Sequence, residues 1–171
     1  MHQQPKYTIL TDKPTIWKLK LTYQDIFDIA SIRTSYLEDK SPDSGISSTQ
    51  VIMNDDKPMF NYYLAIAISE LTGYLAKRLN SDIKIKDDNG ETIENSGLIE
   101  SSESVTYYLV MSMNHESHLI SSLYRHSIEY LVRRTLEQWY NTSFNSETER
   151  YKIHEILEYR RKPITRPASV I

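Results

Sequence analysis

The chain contains no cysteine. That excludes a disulfide framework, a thiolate metal centre and thiol catalysis, and it fits a reducing cytoplasm. Glycine is almost as scarce: Gly45, Gly73, Gly90 and Gly97 each stand alone, so no glycine-rich loop is available to wrap a phosphate. Long apolar runs are missing as well, since no stretch approaches the roughly 18 residues that a membrane-spanning helix needs. The opening Met1-His2-Gln3-Gln4-Pro5-Lys6 has no apolar signal core, and the expectation is a soluble protein not exported by the usual route. Nor is there an excess of basic residues. A net charge of −3 and a pI near 6.0 speak against generic binding to nucleic acid or to a membrane surface.

What is present suits one domain with a real core. The chain has 171 residues, 39% of them hydrophobic, enough for a single domain over residues 1–159 and too few for two. Charge is unevenly spread. Residues 1–114 carry 11 Lys/Arg against 16 Asp/Glu, net −5, and residues 115–171 carry 9 against 7, net +2, which together give the −3 of the whole. An acidic front and a basic rear suit head-to-tail self-association, although so small a difference also arises by chance.

The most informative stretch runs from Glu103 to Tyr140. Ser104 to Met113 is rich in β-branched and aromatic residues with apolar side chains on both faces, the mark of a central strand. Asn114 then suits a helix cap. Leu119, Ile120, Leu123, Ser127, Tyr130, Leu131 and Arg134 recur at helical spacing towards Trp139, predicting a long helix over 115–140.

Before this stretch, residues 1–15 read as an extended arm punctuated by Pro5 and Pro14, and Ile16–Leu21 alternates as a half-buried or edge strand. Thr22 with Asp25 forms an approximate capping box for a helix to about Glu38, with Ile26, Phe27, Ile29, Ala30, Arg33, Tyr36 and Leu37 on its inner face. Residues 39–54 predict a long loop. A second helix opens at Asp55-Asp56-Lys57-Pro58, carries Phe60, Leu64, Ala67, Ile68, Leu71, Leu75 and Leu79 as its stripe, and ends at Asn80. Tyr62, Tyr63 and Tyr74 widen that stripe, so this helix is a candidate for cover on more than one side. Asn89-Gly90 between Ile83–Lys86 and Glu91–Glu94 predicts a β-hairpin. Asn95 to Glu100 reads as a connector, and Ser146 with Glu149 as the capping box of a last helix whose Ile153, Ile156 and Leu157 face inward.

The fold class that follows is α+β: mainly a bundle of about four helices, with a small antiparallel sheet or hairpin and an extended C-terminal arm. That arm, residues 160–171, carries Arg160, Arg161, Lys162 and Arg166 with no acid after Glu158, breaks regular structure at Pro163 and Pro167, and ends in Val170 and Ile171. A disordered terminus is its plain reading. The alternative is an arm held by a neighbouring subunit.

Chemistry-bearing patterns are few. His115-Glu116-Ser117-His118 resembles a zinc-helix motif, but its histidines stand three apart where that motif needs four. No nucleophile elbow marks a Ser/His/Asp site. The 13 tyrosines suit core or interface positions better than stacking platforms for single-stranded nucleic acid. Arg133 and Arg134 beside Glu129 and Glu137 read as a solvated, salt-bridged helix face. Neither a catalytic residue, a metal site nor a cofactor is expected.

Helices 22–38 and 55–80, the hairpin around Asn89-Gly90, the long helix 115–140 and the basic, Pro-containing tail together resemble the head-to-tail connector (adaptor or ring) proteins of tailed bacteriophages. The Tyr-rich, Cys-free sequence, with its Leu21-Thr-Tyr-Gln-Asp-Ile-Phe-Asp-Ile29 helix start and Arg160-Arg-Lys-Pro-Ile-Thr-Arg-Pro167 ending, is similar in style to the ring proteins of crAss-like podoviruses. The resemblance implies a non-enzymatic virion protein, assembled in the host cytoplasm, that forms a homo-oligomeric ring in the phage neck. Such a ring joins the portal to other neck and tail proteins and passes double-stranded DNA without sequence-specific contact, with no membrane involved. It also implies that the arm docks on a neighbouring subunit or the portal through Arg160, Arg161, Lys162, Pro163, Ile164, Arg166, Pro167, Val170 and Ile171. Two other classes stay open: a small binding or regulatory protein acting as monomer or dimer, and a metal-dependent enzyme in which His115, Glu116 and His118 converge with a further carboxylate.

Overall fold

Trp17, Leu19 and Leu21 alternate with Lys18 and Lys20, and that period of two becomes strand β1 (Pro14–Thr22), with the three apolar residues buried and both lysines exposed. In this computed structural model, residues 14–40, 51–79, 85–86, 92–93, 97–112 and 118–159 are described. The strand begins two residues before the expected Ile16, since Pro14 needs no donor on an outer strand. It pairs antiparallel along its whole length with β5 (Ser104–Ser112), placing Leu19 opposite Tyr107 and Leu21 opposite Val105. The other neighbour of β5 is a short strand, β4 (Leu98–Glu100), where a plain connector was expected. The sheet order is β1-β5-β4. A central β5 explains why Val105, Thr106, Tyr107, Tyr108 and Leu109 are buried in succession instead of alternately.

The hairpin expectation holds for the residues described: β2 (Ile85–Lys86) and β3 (Thr92–Ile93) pair antiparallel, Ile85 opposite Ile93, as a sheet of their own. Its turn, Asp87 to Gly90, lies outside the described residues.

Four α-helices are present among the described residues. Helix α1 (Tyr23–Lys40) follows β1 directly. Thr22 is the last strand residue, not a helix cap, and the Tyr23 amide donates to the Glu103 carbonyl at 2.9 Å, so the sheet itself anchors the helix start. Ile26, Phe27 and Ala30 are buried as expected, whereas Tyr36 is 60% exposed on the outer face, one turn beyond Ile32. The loop after α1 starts later than Asp39, because the helix runs to Lys40. Its far end is not loose either: Ile52 is fully buried and bridged to α1, its carbonyl accepting from Ser31 (2.8 Å) and its amide donating to Thr34 (3.3 Å).

A single 3-10 turn, Asn54–Asp56, leads into helix α2 (Lys57–Leu75), with Pro58 in the opening turn, and a second, Ala76–Arg78, closes it. Phe60, Leu64, Ala67, Ile68, Leu71 and Leu75 are buried as expected. Helix α3 (His118–Tyr140) and helix α4 (Ser146–Glu158) complete the layer over the sheet. The Asn114 cap lies outside the described residues. One hydrophobic cluster runs from Trp17 through α1, α2, β5 and α3 to Leu157 of α4.

Candidate functional site

Three features of the surface are candidates for function: an ion-pair network on α3, an uncharged face on α2, and a groove between α2 and β4.

The expected salt bridges of Arg133 with Glu129 and Arg134 with Glu137 are present, but both arginines are part-buried and pair beyond their own helix instead of lying on a solvated face. They point to different sides of α3 and reach two other helices, through Glu70 of α2 and Glu149 of α4. Arg134 Nε meets Glu70 of α2 at 2.9 Å and its Nη1 meets Glu137 at 3.3 Å. Arg133 shares Glu129 with Arg33 of α1, whose two terminal nitrogens lie on the two carboxylate oxygens at 2.5 and 3.1 Å. On α4, Glu149 is only 2% exposed and is met by His126 (2.7 Å), Arg133 (3.4 Å) and Lys152 (3.7 Å). Burial raises the Glu129 carboxyl, but the hydrogen bonds and charge of Arg33 and Arg133 outweigh it and hold it below the usual range. The same balance lowers Glu137, whose acceptor bonds come from Ser146, Phe144 and Arg134.

This network also corrects the reading of α4's start. Ser146 and Glu149 fit the capping-box spacing, yet the residue before the helix is Asn145 in the left-handed region (φ 61°), and its side chain makes no cap bond. Glu137 of α3 does the work from outside. Its carboxylate accepts from the amides of Phe144 (3.0 Å) and Ser146 (3.1 Å) and from the Ser146 hydroxyl (2.6 Å). That frees Glu149 to turn inward towards His126. These contacts hold helices in place.

Helix α2 is unusual in having no charged residue from Pro58 to Ser69. While one face fills the core, the other exposes Met59 (52%), Tyr62 (63%) and Ile66 (37%). Tyr62 stacks edge-on against Tyr63, which in turn meets Trp139 of α3, so the exposed ring rests on an aromatic ladder. Large apolar side chains grouped on an exposed helix face mark a surface suited to cover by another element or chain.

Between α2 and β4 lies a groove of about 410 Å³, walled by Asn61, Leu64, Ala65, Ile68, Ser69 and Thr72 and floored by Leu98, Glu100 and the Ser101-Ser102 turn. Small Ala65 and Ser69 leave the space open. Across Tyr23, Asn61 and Ser102 it continues into a second hollow of about 280 Å³ that reaches Glu103 and Lys57. Beneath it, Thr72 donates to the Ile68 carbonyl (2.8 Å), so in the 2.7 Å contact between Thr72 and Tyr107 the tyrosine is the donor. Burial pushes the Tyr107 phenol up to about 12, with Glu100 adding to the shift, and Tyr23 is raised for the same two reasons. Lys57 is turned to Gln24 (2.6 Å) and lies over the Phe27 ring. Neither Glu100 nor Glu103 meets a cationic side chain within ion-pair distance among the described residues.

The residues singled out from sequence are scattered. His118 is exposed at the start of α3, His126 is taken up by Glu149, and His115 and Glu116 lie outside the described residues, as does the whole arm from Arg160 to Ile171. No three His, Asp or Glu side chains converge as metal ligands among the described residues. The groove was not foreseen, because β4 is only three residues long.

The class of protein defined here is an α+β fold: four helices layered on a small antiparallel sheet, with an uncharged helix face and an acidic-rimmed groove. No protein-family model, curated protein or solved structure matches this chain.

Proposed function

We propose that this chain is a non-enzymatic structural subunit that assembles head-to-tail into a ring, as the connector proteins of a phage neck do, joining the portal to the tail around the passing DNA. The observation that carries the reading is helix α2: uncharged from Pro58 to Ser69, with one face in the core and Met59, Tyr62 and Ile66 left exposed on the other among the described residues. An exposed, uncharged, aromatic-rich face beside a rigid scaffold is the ordinary anatomy of a subunit interface. The ion pairs of α3 support the same reading. They lock the helices together, and a ring needs subunits whose two different contact faces keep a fixed angle.

Substituting Tyr62→Glu together with Ile66→Glu tests this. Both side chains are on the surface, so the melting temperature should move little, while the large assembly expected of the unaltered chain in sedimentation velocity should give way to monomer. An unaltered chain that sediments as monomer or dimer throughout, or an assembly indifferent to both glutamates, would contradict the reading.

A further inference from the structure

We infer that His126 of α3 and Glu155 of α4 form a site for a zinc ion in the hollow where the outer faces of these two helices meet.

The site starts from a buried carboxylate. Glu149, only 2% exposed, lies 2.7 Å from His126 Nδ1. A carboxylate only accepts, so the proton of the neutral imidazole is held at Nδ1 and the lone pair is left on Nε2. Arg133 (3.4 Å) and Lys152 (3.7 Å) meet the other Glu149 oxygen and keep the carboxylate in place. A carboxylate behind the ring is the usual support of an imidazole that binds metal, because it fixes the tautomer and makes the free nitrogen more basic.

Nε2 is also accessible. The buried polar side-chain atoms without a partner among the described residues belong to Ser127, Thr135 and Gln138. Nε2 has no hydrogen-bond partner there and is not one of these atoms, so solvent reaches it. What it meets is a hollow of about 280 Å³, walled by Leu119, Ser122 and His126 of α3 and by Lys152, Glu155 and Ile156 of α4. Glu149 is not among these walls, so the ring turns its Nε2 edge to the hollow.

Glu155 supplies the second ligand from the facing helix. The other acids of α4 are all engaged, Glu147 by Arg150, Glu149 by His126 and Glu158 by Arg78, whereas Glu155 has no cationic partner among the described residues. Lys152, which shares the hollow, lies against Glu149 instead. One imidazole nitrogen and one carboxylate suit zinc better than the harder magnesium or calcium. Water completes the coordination, so the ion is held exchangeably. The two helices are joined through residues 141–145, and the hollow lies towards their other ends. A bound ion therefore ties the open end of the helix pair, and both ligands come from one chain, whatever its assembly.

The test treats the full-length chain with diethyl pyrocarbonate, which acylates imidazole nitrogens that solvent reaches, with and without zinc chloride. Peptide mass spectrometry reads the rate at each histidine. His126 should react in the zinc-free protein and stop reacting once zinc saturates the site. Glu155→Gln, a surface change, should abolish that protection at the same zinc concentration. Glu149→Gln should raise the zinc needed by roughly 10–100-fold, the usual result of removing the carboxylate behind a metal-bound imidazole. Circular dichroism melts establish that both variants fold.

A His126 that does not react without zinc overturns the accessible Nε2, and the site with it. So does a His126 that millimolar zinc leaves unprotected, or protects equally in Glu155→Gln. Protection confined to other histidines means adventitious metal only and overturns the site as well.

Discussion

Replacing Tyr107 with alanine is expected to cost about 3–5 kcal/mol of folding stability, the usual result of emptying a large buried aromatic site. Tyr107 is fully buried at the centre of β5, opposite Leu19 on one side and Leu98 on the other. Its ring fills the space beneath α2, and its hydroxyl donates to Thr72. Tyr107→Phe should cost only about 1 kcal/mol, because Thr72 keeps its own bond to the Ile68 carbonyl and loses just an incoming donor. Urea titrations of the three proteins separate the packing contribution from the hydrogen bond. The same residue contributes to the loss of stability in alkali. Its phenol is raised from 10 to about 12 in the folded state. A raised value means that its contribution is complete below pH 10 and is lost as pH rises through about 12. Tyr130, Tyr23 and Tyr140 are raised by burial as well, so phenolate absorbance should show one late-titrating tyrosine fewer in Tyr107→Phe than in the unaltered chain. A Tyr107→Ala protein as stable as the unaltered one would refute the packing described for β5.

Glu137→Ala should cost about 2–4 kcal/mol. It leaves the amides of Phe144 and Ser146 and the Ser146 hydroxyl without their acceptor and removes one of Arg134's two carboxylates. The damage should be local, and hydrogen exchange is expected to rise first in α4 and in the turn from Asn141 to Asn145. Acid should reproduce part of it. Both Glu137 and Glu129 are held below their ordinary value of 4.5 in the folded protein. Depressed values mean that their contribution is complete above about pH 4.5 and disappears as pH falls through the folded-state values. Between neutral pH and this acid range the unaltered protein should lose more stability than Glu137→Ala, which has already lost one of the two groups. Equal acid losses would show that Glu137 is not the anchor of α4.

These two residues also mark what could and could not be read from the sequence. The strand around Tyr107, the strand from Trp17 to Leu21 and the inner faces of α2 and α3 are written in local periodicity, so they were legible. The role of Glu137 was not. Ser146 and Glu149 have the right spacing for a capping box, and local spacing cannot reveal that a carboxylate nine positions back, on another helix, already occupies the Ser146 amide. Arg33 and Glu129 lie 96 positions apart, and Arg134 and Glu70 lie 64 apart. Such pairs exist only once the helices are packed. Strand β4 was missed for a different reason: three residues are too few for a period, and Gly97, whose φ of 64° lets the chain turn into the strand, stood as one isolated glycine. Hence the groove, which needs β4 as its floor, was invisible. The apolar outer face of α2 was half legible. Tyr62 and Tyr63 suggested cover on more than one side, and only the structure showed that Tyr62 is exposed while Tyr63 rests on Trp139.

The central claim is that this chain is built to assemble with copies of itself, and negative-stain imaging of the purified full-length protein tests it most directly. The account predicts closed rings of one size, with top views showing a central hole and a subunit count that does not change on dilution into the micromolar range. A field of single small particles at every concentration would contradict it.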